Sequence, residues 1–293
     1  MRRIKKCTVF LLLLCLLLNL AGCAAAQKPL RVTLVLKTVT EVAEFWGTLL
    51  SGVEKAAEEY GVELKVLTSP REIDIDKQIE LIRQVTADKP DVMILSAADY
   101  DRCAEATEEA IAAGIGVVAI DTDVNAAGRA CFVGSNSYEI GLEMGRAMAS
   151  YLPEGGKVAV IQHMLTTTTG IERTRGVLDA LNEAGNIEIL GSFCCDNSTE
   201  QAQTITTELL SADPEIRGFV CTNEVCNVGA ANALVELGMG GRVYVVGCDN
   251  SQRQIQFLEQ NIIQAIVTQR PFNMGYVAVQ QAVRVANGEQ TDD

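Results

Sequence analysis

The feature that most constrains this fold is an alternation of short apolar segments with amphipathic helical segments, which begins near residue 30 and starts again near residue 157. The predicted strands are "RVTLVL", "VELKVL", "DVMILS" and "GVVAID", and then "KVAVIQ", "IEILGSFC", "GFVCTN" and "RVYVVGCDN". Strands this apolar, separated by helices, are typical of parallel sheets with helices on both faces. The pattern predicts an α/β chain with two similar, doubly wound parallel-sheet lobes. No linker rich in proline or serine separates the two units, so we expect short crossings between them.

The helical segments carry recognisable start and stop signals. In the first, Leu49, Val53 and Tyr60 fall on one face, and Gly61 ends the helix. In the second unit, the "STEQ" sequence that begins at Ser198 fits a capping box and predicts a helix over 199–210.

The N-terminus has the composition of an export signal, predicted over residues 1–22. Four basic residues precede an apolar run from Val9 to Leu18, which is shorter than the roughly 20 residues that a spanning helix needs. The "LAGC" that follows resembles the lipobox of bacterial lipoproteins, and this resemblance implies a lipid anchor on Cys23, with residues 23–29 as a linker. The mature chain would then lie on the outer face of the cell membrane or in the periplasm. The alternative is an ordinary signal peptide with an incidental cysteine.

Charge excludes two classes of partner. Removing residues 1–22 removes four of the 24 basic residues and none of the 38 acidic residues, which leaves 20 against 38 and a formal net charge of −18. Such a charge repels nucleic acid and anionic lipid, so neither is expected as a partner.

The cysteine pattern argues against a disulfide framework and against a metal site. Seven cysteines follow Cys23, an odd number, and most of them lie in apolar segments where a free thiol behaves as a small hydrophobic residue. No CxxC pair occurs, and His163 is the single histidine, so we expect no metal and no cofactor. Whether any of these cysteines pair stays open.

Polar and aromatic residues follow the predicted strands, where ligands bind in a doubly wound sheet. They are Phe45, Trp46, Asp121, Asp123, Asn223 and Asp249. A sugar site needs carboxylates and amides for the hydroxyl groups and aromatic rings for the C–H faces. Two alternatives remain. Trp46 shares a helical stripe with core residues, and Asp121 and Asp123 are also typical of strand-end turns.

The order and spacing of several motifs resemble the type I periplasmic binding proteins, and in particular the ribose- and galactose-type sugar receptors of ABC importers. The motifs are "KPDVMILSAAD", "GIGVVAIDTDV", "FVGSNSYEIGLEMG", "IERTRGVLDAL", "CTNEVCNVGAANAL" and "VVGCDN". The resemblance covers essentially all of residues 30–290. It implies one lobe formed by 30–135 with 270–289 and a second lobe formed by 136–269. Residues 290–293 would begin a third crossing, and we expect the strand that usually follows in the family to be absent from this sequence.

The same resemblance implies a set of ligand-binding residues. These are Phe45, Trp46, Asp121 and Ser135 from the first lobe, and Asn197, Asn223, Asp249 and Gln269 from the second. Two arginines common in such receptors are replaced by Ile171 and Thr122, which argues against ribose itself.

The resemblance implies a binding protein without catalytic residues. The single histidine, His163, has no nucleophile motif beside it, which argues against an anchored hydrolase. We expect a monomer that captures a sugar or sugar-like ligand by lobe closure and delivers it to an ABC permease. The alternative is a co-receptor that presents its closed form to a membrane kinase or chemoreceptor. A sugar-responsive repressor is excluded, because the predicted leader occupies the place of a DNA-binding module.

Overall fold

The fold consists of two α/β lobes, each built on a five-stranded parallel sheet. The computed structural model describes residues 28–38 and 44–291, so the predicted leader and Cys23 lie outside the described residues. In the first half of the chain the elements are β1 (Arg31–Leu36), α1 (Glu44–Tyr60), β2 (Glu63–Thr68), α2 (Ile75–Asp88), β3 (Val92–Leu95), α3 (Ala104–Ala112), β4 (Gly116–Ile120) and β5 (Cys131–Val133). They are followed by α4 (Ser137–Tyr151), β6 (Gly156–Gln162), α5 (Thr168–Ala184), β7 (Ile187–Cys194), α6 (Thr199–Ala212), β8 (Ile216–Cys221), α7 (Glu224–Glu236), β9 (Tyr244–Cys248), α8 (Gln252–Glu259), β10 (Ala265–Val267) and α9 (Pro271–Ala286).

The two sheets have related strand orders, which confirms the predicted fold class. One sheet has the order β2-β1-β3-β4-β5 and the other β10-β9-β8-β6-β7, and all the strand pairs are parallel. Strand β3 is buried along its whole length, as expected of a strand covered on both faces. The order reverses next to β1 and next to β6, and ligand sites of such sheets lie at the carboxyl ends of the strands there.

The chain passes between the lobes twice within the described residues. Helix α4 packs on α5 of the second lobe, so one crossing lies at residues 134–136. Helix α9 packs on α1 and β4 of the first lobe, so the return lies at residues 268–270. After α9, the Thr291 hydroxyl donates to the Ala130 carbonyl of the first lobe at 2.9 Å, and residues 292–293 lie outside the description.

Helix starts agree with the capping chemistry of the sequence. The Ser198 hydroxyl accepts a hydrogen bond from the Gln201 amide, and α6 begins at Thr199 as predicted, although it continues to Ala212 rather than ending at residue 210. Asn136 caps α4 in the same way, with its side chain accepting from the Glu139 amide. That cap ends the first crossing and directs α4 into the second lobe.

Two glycines of α1 give a matched test of how closely α9 packs against it. A Cβ added at Gly52 would lie 2.0 Å from the Phe272 carbonyl oxygen, whereas a Cβ at Gly47 would have no neighbour within 4 Å. We expect Gly52→Ala to lower the free energy of unfolding by about 1–3 kcal/mol because the helices must separate. Gly47→Ala should instead raise it by about 0.5–1 kcal/mol, because alanine favours the helix. Urea unfolding of both variants checks this, and equal effects would contradict the close approach.

Candidate functional site

A cavity of about 400 Å³ lies between the two lobes at the carboxyl ends of their strands. The residues that line it from the first lobe are Lys37, Phe45, Trp46, Glu72 and Asp121. Those from the second lobe and the return crossing are His163, Thr169, Arg173, Asn197, Asn223, Glu224, Val225, Asp249 and Gln269. The cavity is therefore lined by carboxylates, amides, cations and two aromatic rings.

Most of the residues predicted from the sequence meet in this cavity. The seven that line it are Phe45, Trp46, Asp121, Asn197, Asn223, Asp249 and Gln269. The structure places the other two elsewhere. The Asp123 carboxylate lies 2.7 Å from the Arg129 guanidinium, on the surface beside the cavity. Ser135 is half-buried on the first crossing and does not line the cavity.

The polar residues at the strand ends have an unusual backbone conformation. Asp121, Asn197 and Asp249 have φ values of 63°, 53° and 74°, in the left-handed region that costs energy for residues other than glycine. The Asp121 amide donates to the Val133 carbonyl of β5, and the Asp249 amide donates to the Val267 carbonyl of β10. Each loop is therefore held to the edge strand of its own sheet. Backbone held in this conformation clusters at ligand sites, and here it fixes the directions of both carboxylates.

The aromatic side of the cavity is rigid. The rings of Phe45 and Trp46 pack edge to face with centroids 5.1 Å apart. Trp46 is only 5% exposed and belongs to the core of the first lobe, and it also lines the cavity. A ring held by the core presents its face to a ligand without losing side-chain freedom on binding.

A buried ionic cluster lies beside these rings. The Lys37 ammonium is 2.9 Å from Glu72 and 3.2 Å from Asp121, and all three side chains are at most 6% exposed. Burial raises the pKa of Glu72 despite the nearby ammonium. Burial alone would lower the pKa of Lys37, but the two carboxylates outweigh it and raise that pKa. Lys37 therefore stays charged and holds both carboxylates in place.

Two further cavity residues, Arg173 and His163, come from the second lobe. The Arg173 guanidinium donates to the Thr222 carbonyl at 2.9 Å, and its buried Nε atom has no hydrogen-bond partner. The His163 ring nitrogens lie 2.8 Å from Thr222 Oγ1 and 3.2 Å from Thr169 Oγ1. Burial and the nearby cations lower the pKa of His163 well below its usual value, so the ring is neutral near pH 7. The residue lies on the loop that follows β6, is 2% exposed and lines the cavity.

Sequence reasoning missed six of the polar residues that line the cavity. They are Lys37, Glu72, His163, Thr169, Arg173 and Glu224. A signal existed for Arg173, because it lies on the same helical face as Gly170 and Val177, where a buried charge is exceptional. Arg173 supplies the cavity with a guanidinium, although two arginines common in such receptors are replaced by Ile171 and Thr122.

Amide and carboxylate groups of the second lobe orient one another. The Asn223 side chain accepts from the Cys226 amide and donates to Asn197 Oδ1 at 2.8 Å. Asp249 accepts from the Gln269 side chain at 2.8 Å and from the Glu224 amide at 3.1 Å. The groups that would meet a ligand are therefore already positioned by hydrogen bonds within the protein.

The lobes are also joined directly. The Asn197 side-chain amide donates to Glu72 at 2.8 Å across the cavity. Farther out, the Tyr100 amide donates to the Thr166 carbonyl, and the Thr166 hydroxyl donates to the Ala98 carbonyl, both at 2.9 Å. These bonds link the loop after β3 to the loop after β6.

Glu224 makes stability depend on pH. Burial raises its pKa to about 7, and the Asp249 and Glu44 carboxylates add to the shift. Hydrogen bonds from the Ser251 side chain and from the Glu44 backbone oppose it. An unfolded glutamate titrates near pH 4.3, so the native state loses stability as pH rises from about 4 to 7. We expect Glu224→Gln to be more stable than the original protein by up to about 3 kcal/mol at pH 8, with no difference at pH 4. Urea unfolding across this range measures it. The exposed Glu236→Gln on the same helix is the control, and parallel curves for the original protein and Glu224→Gln would contradict the shift.

In the part of the chain that the structure describes, the cysteines form no disulfide bonds. They are Cys103, Cys131, Cys194, Cys195, Cys221, Cys226 and Cys248. No group of three or more His, Cys, Asp or Glu side chains in residues 28–38 and 44–291 could hold a metal ion. Over the same residues, no helix combines the length and hydrophobicity that a membrane crossing requires.

Comparison with known proteins identifies the family. A model of the periplasmic binding protein domain matches residues 33–290, and the chain belongs to this family. The D-allose-binding periplasmic protein of Escherichia coli (strain K12) is 26% identical over 268 residues, which are 89% of this chain and 84% of that protein. A sugar transporter from Clostridium phytofermentans has a TM-score of 0.83 at 29% identity, covering 89% of this chain and 94% of the other. GanP, a glucose-galactose binding protein from Geobacillus stearothermophilus, has a TM-score of 0.84 at 27% identity, covering 91% and 94%.

These findings confirm the resemblance to type I periplasmic binding proteins. They also confirm that the chain is a binding protein rather than an enzyme, since its homologues are sugar-binding transport proteins. The family membership is independent of the cavity, and both lead to the same class of protein.

Proposed function

We propose that this chain is an exported, lipid-anchored receptor that binds a sugar or sugar-like ligand between its lobes and delivers it to an ABC importer. The observation that carries the proposal is the cavity itself, in which Trp46, Asp121 and Asp249 converge from both lobes. Rings suit the C–H face of a sugar, and fixed carboxylates accept from its hydroxyl groups. The relatives named for D-allose and for glucose and galactose support a monosaccharide.

Ligand binding would favour closure because only the closed form makes contacts from both lobes. In this proposal residues 30–135 with 270–289 move as one body relative to 136–269, and the crossings at 134–136 and 268–270 act as hinges. Residues 290–293 would lead into a third crossing. Asp123 and Ser135 would support the loops around the site rather than contact the ligand.

A thermal-shift screen of the purified protein tests the binding proposal. The panel contains D-allose, D-ribose, D-glucose and D-galactose, together with polyols and nucleosides. A ligand at about 100 times its Kd should stabilise the protein by about 2.7 kcal/mol, which a melting curve detects. A selective shift with a sugar supports the proposal, and small-angle scattering with that sugar should show a smaller radius of gyration. No shift with any sugar from a sample that melts cooperatively would contradict it.

The lipid anchor is tested separately. We expect to find the protein in the membrane fraction of its host. The Cys23→Ser variant should instead appear in another fraction or keep its leader. Mass spectrometry of the mature N-terminus should show acyl chains on Cys23, since two or more chains anchor a protein stably. An unmodified N-terminus elsewhere in the chain would support the ordinary signal peptide instead.

A further inference from the structure

A second cavity adjoins the ligand cavity, and its ionisable residues carry a single sign of charge. It has a volume of about 640 Å³ and shares Phe45, Glu224, Asp249 and Gln269 with the ligand cavity. Its remaining lining is Glu44, Thr48, Asn250, Ser251 and Pro271. We call it the acidic side cavity because Glu44, Glu224 and Asp249 line it and none of the described lining residues is basic.

The Asp249 and Glu44 carboxylates both accept hydrogen bonds from other residues of the protein. Asp249 accepts from Gln269 through one oxygen and from the Glu224 amide through the other. Glu44 is exposed and accepts from the Gln252 amide across the lobes at 3.1 Å. Their charges are therefore fixed at the edge of the acidic side cavity.

Glu224 differs because it is buried and incompletely satisfied. The residue is 2% exposed, and its Oε2 atom is buried without any hydrogen-bond partner. A buried acceptor without a donor costs about 1–3 kcal/mol, and more when it is charged. Such an atom at the junction of two cavities indicates that the missing donor comes from a bound molecule.

The charge around Glu224 selects the kind of donor. A neutral hydroxyl would satisfy the hydrogen bond but would not offset the repulsion between Glu224, Asp249 and Glu44 when Glu224 is ionised. A protonated amine satisfies Oε2 and also offsets the repulsion among the three carboxylates. Among the described residues, neither cation of the neighbouring ligand cavity pairs with Glu224: Lys37 pairs with Glu72 and Asp121, and the Arg173 guanidinium donates to the Thr222 carbonyl.

We propose that the acidic side cavity is part of the ligand site and receives a protonated amino group of the ligand, held against Glu224. The ligand class is then an amino sugar or a similar polyhydroxylated amine. This inference rests on the proposed function, because the polyhydroxylated part of the ligand would occupy the cavity beside Trp46.

Calorimetric titration with matched pairs of ligands tests the inference. D-Allose, D-glucose and D-galactose are each compared at pH 7 with their aminodeoxy derivatives that carry the amine at different carbons. We expect at least one amine to bind tenfold or more tightly than its hydroxyl parent. That ratio should fall to near one in Glu224→Gln. It should fall partly in Glu44→Gln, which alters an exposed residue at the rim. The exposed Glu236→Gln, on the same helix as Glu224, should keep the ratio.

The outcomes separate the two proposals. If the parent sugars bind as tightly as every amine, the inference about the acidic side cavity is overturned and the sugar receptor stands. An amine preference that survives in both Glu224→Gln and Glu44→Gln overturns the inference as well. If neither parents nor amines bind to a protein that melts cooperatively, the proposed function itself fails.

Discussion

Replacing Lys37 with methionine should lower the free energy of unfolding by about 3–5 kcal/mol, the largest effect on stability that we expect from a single cavity residue. The ammonium is 4% exposed and pairs with both Glu72 and Asp121, so its removal leaves two buried carboxylates facing each other. The deficit should shrink as pH falls, because burial already raises the pKa of Glu72 and this carboxyl takes up a proton more easily than an exposed one. Urea unfolding at pH 5 and pH 8 measures both effects.

The double variant Lys37→Met with Glu72→Gln is the control for this prediction. It removes the cation together with one of the carboxylates, so it should recover a substantial part of the stability lost in the single variant. If the double variant is as unstable as the sum of the two single variants, the three groups do not act as an ionic cluster.

Replacing Asp249 with asparagine should weaken binding of the identified ligand by about 10- to 150-fold, because hydrogen bonds to a charged group contribute about 1.5–3 kcal/mol. Asp249 projects into the cavity from a left-handed backbone position, and its two oxygens also orient Gln269 and the Glu224 amide. The substitution therefore removes the charge and disturbs the neighbours of the ligand. Calorimetric titration gives the change in Kd.

Asp123→Asn is the matched control, because sequence reasoning assigned both aspartates to the site. The Asp123 carboxylate pairs with Arg129 outside the cavity, so this variant should keep its Kd within about threefold, as is usual for a substitution outside the contact. Equal losses in the two variants would mean that the cavity described between the lobes is not where the ligand binds.

The extent of sequence-based prediction differs between the fold and the site. Strand β3 and the start of α6 could be predicted because apolar runs and capping residues act locally. The loops after parallel strands gather at one edge of a sheet, so Asp121 and Asp249 could be predicted to lie near each other. The structure places both in the lining of one cavity. Whether they bind a ligand stays a prediction.

The residues that were missed depend on contacts between distant segments. Glu72 lies in the loop before α2, and no local sequence pattern distinguishes it from acidic residues that are exposed. Its place in the cavity depends on the ion pair with Lys37 and the hydrogen bond from Asn197. Asp123 shows the converse case, a residue that the sequence placed in the site and that does not line the cavity. Its position two residues after Asp121 suggested the same role, but Arg129, six residues further along the chain, pairs with its carboxylate.

The outer contact between the lobes is separate from the residues that line the cavity. Two of its partners, the Tyr100 amide and the Ala98 carbonyl, are main-chain atoms, and the third residue, Thr166, does not line the cavity. Substitutions of the cavity residues therefore leave these contact atoms in place. On the closure that we propose, a substitution at Thr166 would shift the balance between open and closed forms without changing the residues that line the cavity.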